Sequence, residues 1–285
     1  ITRWADSDPM ALATVLGATG FVGSRLKARL EASGVEVYAP AKGDPTVFER
    51  PLGCVYYCAG LTADYAIRPF DTIEAHVGLI ARLAKSATFE RLVYTSSTRL
   101  YDASGAAVGD EAAPLSLDPA QPRHLYDLSK ALGENIALTQ TGGRGAVARL
   151  ANVFDWAPGG QGFLSEWLAR APAERTIALD SSPEVFRDYI HLDDVVDALM
   201  AMAGDAASQI VNVAGGQLVS NAQIAAVFER AGWSVSFTGS AKPPPPPRAD
   251  ILRLEALGVS PRPVLEVVDA YLSEVLRDAA HRPHA

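Results

Sequence analysis

From Leu12 onward, short apolar runs alternate with longer stretches in which apolar residues recur at helical spacing. Leu12–Leu16, Val35–Tyr38, Gly53–Cys58, Arg91–Thr95 and Ala146–Leu150 have the length and apolar content of buried strands. Phe21–Ala32, Pro69–Lys85 and His124–Thr139 lie between them as amphipathic helices, and the last stops ahead of Gly142-Gly143, residues suited to the left-handed conformation that ends a helix. This alternation predicts an α/β fold built on a doubly wound, mostly parallel sheet. After Asn152 the pattern loosens into a loop, Trp156-Ala157-Pro158-Gly159-Gly160, then mixed helices and short strands such as Gln209–Val213, which predicts a smaller C-terminal lobe. A strand at Val185–Ile190 and a helix at Val195–Met202 imply that the chain re-enters the first lobe. The expected division is 11–155 with 185–205 for the sheet domain, 156–184 and 206–276 for the smaller lobe, and loose termini at 1–10 and 277–285. Lys242 followed by Pro243–Pro247 reads as a stiff extended connector.

Composition narrows the function classes. With 48% hydrophobic and 20% charged residues over 285 positions, the chain can bury a full core. A formal net charge of −8, without a long Lys/Arg run, argues against nucleic acid or anionic lipid as partners. Any anionic ligand must then be held by local devices. Cys54 and Cys58, the two cysteines, lie in an apolar stretch at a spacing unlike a redox pair, which points to a reducing cytoplasm. No apolar run approaches the roughly 20 residues needed to span a bilayer, and the N-terminal residues lack a signal-peptide pattern.

Gly17-Ala18-Thr19-Gly20-Phe21-Val22-Gly23 joins the first strand to the first helix. Glycines there permit the tight turn, close approach of a pyrophosphate, and packing of the helix on the strand, with free N–H groups facing the phosphates. The sheet domain is therefore expected to be a Rossmann-type dinucleotide-binding domain and the second lobe to bind substrate. The second strand ends Val37-Tyr38-Ala39-Pro40-Ala41-Lys42 with no acid before Asp44, so the cofactor is NAD or NADP with a tilt to NADP, Lys42 meeting a ribose 2′-phosphate or else standing as a solvated lysine. Residues 38–55 are too few for the usual helix and strand, which predicts a sheet trimmed on the adenine side.

In Tyr126-Asp127-Leu128-Ser129-Lys130, Tyr126 and Lys130 fall one helical turn apart on one face. A free tyrosine, with a pKa of about 10, is a poor base, but a neighbouring ammonium favours its phenolate. Tyr126 can then exchange a proton with a substrate hydroxyl while hydride moves, and Lys130 can also hold the cofactor ribose. A hydroxyl partner comes from Ser96-Ser97-Thr98 at the end of the preceding strand, where side chains point into the ligand crevice.

The segments Gly17–Gly23, Cys58-Ala59-Gly60, Ser96–Tyr101, Tyr126–Lys130, Arg149–Asn152 and Arg187–Asp194 occur in an order that resembles the NAD(P)-dependent epimerase/dehydratase family, the extended short-chain dehydrogenases, from Leu12 to about Leu276. The resemblance implies that Ser97, Tyr126 and Lys130 are catalytic and that the cofactor lies against Gly17, Thr19, Gly20, Phe21, Val22, Gly23, Lys42, Cys58, Ala59, Gly60, Tyr126 and Lys130. It implies that Ser97, Thr98, Asn152, Arg187 and Arg248 contact a nucleotide-linked sugar, and that His191 and Asp193 mainly support structure. It also implies a homodimer formed through the helices near Pro69–Lys85 and His124–Thr139. Sugar 4,6-dehydratases of the family carry an Asp-Glu pair after the catalytic Ser/Thr; here Thr98 and Arg99 stand there, which disfavours dehydration and leaves 4-keto-sugar reduction or C4 epimerisation. A non-catalytic NAD(P)-binding sensor or scaffold of the same fold is the alternative. Gly162–Trp167 reads equally as a wall of the sugar or base site and as lobe packing.

Overall fold

The computed structural model describes residues 12–62, 64–157, 160 and 162–281. The first half runs β1 Leu12–Leu16, α1 Phe21–Ala32, β2 Glu36–Tyr38, β3 Cys54–Tyr57, α2 Pro69–Ile73, α3 Leu79–Ser86, β4 Arg91–Ser97, β5 Val108–Gly109, α4 His124–Thr139 and β6 Gly145–Leu150. A wide π turn, Glu74–Gly78, joins α2 to α3. The second half runs β7 Asn152–Phe154, α5 Phe163–Arg170, β8 Thr176–Leu179, β9 Phe186–His191, α6 Leu192–Gly204, β10 Ile210–Val213, β11 Leu218–Ser220, α7 Asn221–Arg230, β12 Ser234–Phe237, β13 Arg248–Ala249, α8 Leu252–Ala256 and α9 Val264–His281. Gly142 and Gly143 both take positive φ after α4, as the sequence predicts.

The central sheet has six parallel strands in the order β10-β6-β4-β3-β1-β2, a doubly wound sheet whose connections reverse between β1 and β3. Ala13, Val15, Leu26, Val93, Ala146 and Leu199 fill one face, and Leu52, Tyr57, Leu83, Leu92 and Val147 the other. Burial on both faces explains why these strands read as near-continuous apolar runs. Beyond β2 the sheet stops: between β2 and β3 the chain makes only the short helical turn Pro45–Phe48, so the trimming expected on this side is real.

The division of the chain differs from the expectation in four places. Ile210–Val213, assigned to the smaller lobe, is the outer strand of the central sheet, paired with β6 from Val147 to Leu150. Leu254 of α8 packs into the same core. The strand read at Val185–Ile190 does not join that sheet; β9 pairs with β7 and antiparallel with β11. A short apolar strand is legible as a strand, but its pairing partner is set by tertiary packing. The C-terminus is not loose at 277, because α9 continues to His281 with Val268, Leu272 and Val275 buried against α7 and the second lobe. The expected loose N-terminus, 1–10, lies outside the described residues. A separate apolar core around Phe154, Trp167, Tyr189, Phe228 and Trp233 holds that lobe together. Among the described residues no helix is long and apolar enough to cross a membrane.

Candidate active site

The carboxyl ends of β1, β3 and β4 lie side by side, with Leu16 opposite Tyr57 and Tyr57 opposite Tyr94. The residues that follow each strand therefore meet at one edge of the sheet. Gly17, at φ 80°, passes so close to the end of β3 that a Cβ there would stand 2.8 Å from the Cys58 carbonyl carbon and the Ala59 nitrogen. A Cβ on Gly23 would stand 2.3 Å from the Gly17 oxygen, so the last glycine lets α1 seat on the turn. The turn closes through a 2.9 Å bond from the Gly20 N–H to the Gly17 oxygen. No side chain caps α1, and its first turn holds no acid, so the N–H groups of Phe21 and Val22 at its start stand available to an anion. This cradle fits a dinucleotide pyrophosphate.

Helix α4 lays Tyr126 and Lys130 against β4. Lys130 is buried and its ammonium donates to the Thr95 carbonyl at 2.9 Å. Burial pulls its pKa down to about 8 against the pull of Glu134 and Cys58 upward. Tyr126 is buried as well; burial raises its pKa, while hydrogen bonds with the Ser97 and Thr62 side chains and the charge of Arg99 lower it. Ser97 ends β4 and its hydroxyl accepts the Arg99 N–H at 3.2 Å, which fixes the turn that aims it at the phenol. The structure thus brings Ser97, Tyr126 and Lys130 together, with Gly60 beside Lys130: a Cβ on Gly60 would stand 3.4 Å from Nζ.

Several neighbours of the phenol escape the sequence reading. His76, in the π turn, meets the Tyr126 ring edge-on at 5.3 Å. Its Nε2 accepts the Leu61 N–H at 3.3 Å, so Nδ1 carries the proton toward Ser129 Oγ at 2.8 Å. Burial and the Lys130 charge drive its pKa down to about 2, so it stays neutral. Thr62 and Tyr65 come from the irregular segment after Gly60, where no periodicity marks a role. Arg99 lies over both Tyr65 and Tyr126, 4.8 and 4.9 Å from the ring centroids.

Further out, Thr98 Oγ1 donates to the Leu150 carbonyl at 3.4 Å, and Asn152 Nδ2 to the Asp188 carbonyl at 2.9 Å. Arg187, on β9, stacks on Phe163 at 4.7 Å and donates to Asn221 at 3.3 Å. Arg248 donates to the Gly216 carbonyl at 3.4 Å, while the Gly215 and Gly216 N–H groups donate to the Asp188 carboxylate. Asn152 and Arg248 are thereby tied to the strand that carries Arg187. Of Gly162–Trp167, Leu164, Ser165 and Trp167 are packed inside the lobe, and Phe163 alone serves as a platform for a charged group. His191 caps α6 by accepting the Asp193 N–H at 3.1 Å, and Arg25 ties α1 to Asp155 and Asp193. Lys42 stands apart from the rest, exposed and 3.8 Å from Asp71. Among the described residues no cluster of His, Cys, Asp and Glu is arranged to hold a metal.

Residues 13–214 match the NAD dependent epimerase/dehydratase family. The chain belongs to that family. It is 31% identical over 243 residues, 72% of this chain and 74% of the relative, to a dTDP-6-deoxy-L-talose 4-dehydrogenase (NAD(P)(+)) from Kitasatospora kifunensis. A dTDP-4-dehydro-6-deoxy-D-allose reductase from Streptomyces sp is 24% identical over 283 residues, 83% of each chain. In fold, this epimerase/dehydratase resembles MoeE5 in complex with UDP-glucose and NAD, at a TM-score of 0.76 with 24% identity, over 94% of this chain and 99% of the other. RMD from Pseudomonas aeruginosa complexed with NADPH gives 0.70 with 20% identity over 94% and 99%. The protein is an enzyme of the family, which sets aside the reading as a sensor or scaffold.

Proposed function

We propose that this enzyme interconverts a hydroxyl and a keto group on a nucleotide-diphosphate sugar, at C4, with NAD or NADP. The observation that carries the reading is the buried Tyr126 phenol, hydrogen-bonded by Ser97 and standing one helical turn from Lys130 beside the glycine cradle. A nicotinamide dinucleotide bound along Gly17–Gly23 and Cys58-Ala59-Gly60 supplies the hydride acceptor or donor. In oxidation Tyr126 takes the hydroxyl proton; in reduction it returns one to the carbonyl oxygen. Ser97 orients that oxygen, and Lys130 favours the phenolate while reaching the cofactor ribose. Thr98, Asn152, Arg187 and Arg248 hold the sugar and its diphosphate, the guanidinium groups pairing with phosphate oxygens.

Redox chemistry at C4 is favoured over dehydration because the two residues after Ser97 are Thr98 and Arg99, which offer no acid and base for removing water. Both relatives named above act by oxidation or reduction at that carbon. C4 epimerisation is the second reading, since it shares the oxidation step. Lys42 tilts the cofactor toward NADP through a 2′-phosphate, for which it would exchange its contact with Asp71.

A cytoplasmic homodimer completes the reading. Ile67, just ahead of α2, and Phe70 and Ile73 on it are exposed at 81, 84 and 40%, and Leu132 on α4 is 49% exposed. An apolar stripe of this kind on the two helices expected at the interface suits a self-complementary contact. Two cysteines in 285 residues, both in or beside the buried strand β3, suit a protein of a reducing compartment.

The test is to mix the enzyme with dTDP-6-deoxy-L-talose and NAD or NADP and follow reduced nicotinamide by absorbance. Formation of a 4-keto sugar with stoichiometric reduced cofactor supports the reading. An isomer formed with no net reduction indicates the epimerase, and no binding of either dinucleotide overturns both.

A further inference from the structure

Tyr126 is surrounded by charge on more than the lysine side. On α4 itself lie Asp127, next in sequence, and Lys130, with Glu134 a further turn away. From β4 comes Tyr94, whose hydroxyl donates to the His76 carbonyl and whose ring lies under Lys130 at 5.1 Å. The π turn presents His76, neutral for the reasons given above. The segment after β3 presents the Thr62 hydroxyl and the Tyr65 ring, 5.4 Å from Tyr126. The turn after β4 presents Arg99. Of all these groups only Lys130 and Arg99 are cations, and Lys130, fully enclosed, has lost part of its hold on its proton near neutral pH.

Arg99 is not a loose surface arginine. Its Nε pairs with Asp127 at 3.1 Å, and one Nη donates to both the Tyr65 hydroxyl and the Arg123 carbonyl at 3.0 Å. Its side chain keeps 27% of its exposure, so the guanidinium reaches the crevice mouth while its plane rests on two tyrosine rings. Three anchors, two at the start of α4 and one on the segment after β3, hold it where a cation meets the negative face of an aromatic ring. A structural cross-link between α4 and the loop would need the Asp127 pair alone; nothing in that role requires the guanidinium to lie over the Tyr126 ring.

We propose that Arg99 is a positioning residue for the proton-transfer step: a second cation that stabilises the Tyr126 phenolate and holds Tyr65 and the Thr62 segment against it. The inference rests on the reading of Tyr126 as the acid and base. It gives the residue after Thr98 a positive part in the redox reaction. Where a dehydratase needs a carboxyl, this enzyme carries the charge that keeps tyrosine competent as a base.

The experiment uses full-length enzyme with ¹³Cζ-labelled tyrosine, the Tyr126 resonance being assigned by its loss in Tyr126→Phe. An opposite charge within about 4–6 Å moves a pKa by roughly one to three units, so Arg99→Met raises the Tyr126 titration midpoint by about one to two pH units. Arg99→Gln, which retains hydrogen bonding to Tyr65 and Arg123, gives the same rise, and Arg99→Lys restores most of the wild-type midpoint. Circular dichroism identifies which variants are folded. The oxidation rate constant falls about tenfold or more near pH 7 in Arg99→Met and recovers at high pH, while the Km for dinucleotide stays within twofold. A Tyr126 midpoint at the wild-type value in either folded neutral variant overturns the proposal. If Tyr126 titrates as described in enzyme that turns over no nucleotide sugar, the functional reading fails and the part assigned to Arg99 in setting the phenol stands.

Discussion

The flank of the crevice proposed for catalysis, from Ser97 to Lys130, is buried and cross-linked, whereas the flank proposed for the adenosine rests on a three-residue edge strand and exposed side chains. On the first, Arg149 forks onto Glu134 at 2.8 and 2.6 Å, one turn beyond Lys130, and its third nitrogen donates to the Tyr101 hydroxyl at 2.7 Å. That hydroxyl in turn donates to Asn212 on β10 at 2.8 Å. The helix carrying the tyrosine and lysine is thereby locked to two strands of the sheet, β6 and β10, and to the turn that follows β4. On the second flank, Tyr38 is held by Thr46 at 2.5 Å and covered by Arg50 at 4.3 Å, and Lys42 pairs with Asp71 at 3.8 Å. Where chemistry happens, distances must hold to a fraction of an ångström; where a cofactor is gripped by its tail, local contacts suffice.

Four substitutions test that contrast. The largest effect belongs to Tyr126→Phe, which lowers the rate of sugar oxidation by about 100- to 10,000-fold with dinucleotide affinity unchanged, as steady-state kinetics and fluorescence titration would record. In the wild type the sign of the pH dependence follows from which form of the phenol is used. Oxidation needs the phenolate and gains rate as pH rises toward the Tyr126 pKa; reduction needs the phenol and loses rate over the same range. Equal slopes in both directions would remove Tyr126 from the proton transfer.

Glu134→Gln strips the charge partner from buried Arg149 and destabilises the fold by about 3–5 kcal/mol, read as a lower urea midpoint. A change under about 1 kcal/mol would mean that the catalytic flank is less tightly locked than the hydrogen bonds indicate. Gly17→Ala puts a Cβ against the Cys58 and Ala59 backbone at a positive φ, so it costs more than about 1 kcal/mol of stability and removes detectable dinucleotide binding. Lys42→Ala has the smallest effect. It weakens NADP by roughly fivefold, the scale of an exposed ion pair, and leaves NAD untouched. Equal losses for both cofactors would place Lys42 in general folding of the β2 edge rather than at a 2′-phosphate.

Much of this was legible in the sequence because the relevant residues are local. Phe21–Ala32 and His124–Thr139 end where their patterns end, and the glycine turn, Ser97 and the Tyr126–Lys130 spacing sit at strand and helix termini that punctuation residues mark. Ile210–Val213 falls in the wrong lobe for the opposite reason: three apolar residues around Asn212 define a strand, but choosing β6 as its partner depends on packing from about sixty residues earlier. Thr62 and Tyr65 were missed because they lie in an irregular segment, visible only once the loop folds back over Tyr126. Arg99 was in view, but only as the absence of an acid; its stacking on two tyrosines depends on three segments meeting.

The most direct test of the account is a label transfer. Enzyme is incubated with dTDP-4-dehydro-6-deoxy-D-allose and nicotinamide dinucleotide phosphate carrying deuterium at both C4 positions of its reduced ring, and the sugar is examined by mass spectrometry and NMR. The account predicts a reduced sugar with one deuterium on C4, formed by the wild type and not by Tyr126→Phe. A sugar product without deuterium, or label transfer undiminished in Tyr126→Phe, would contradict it.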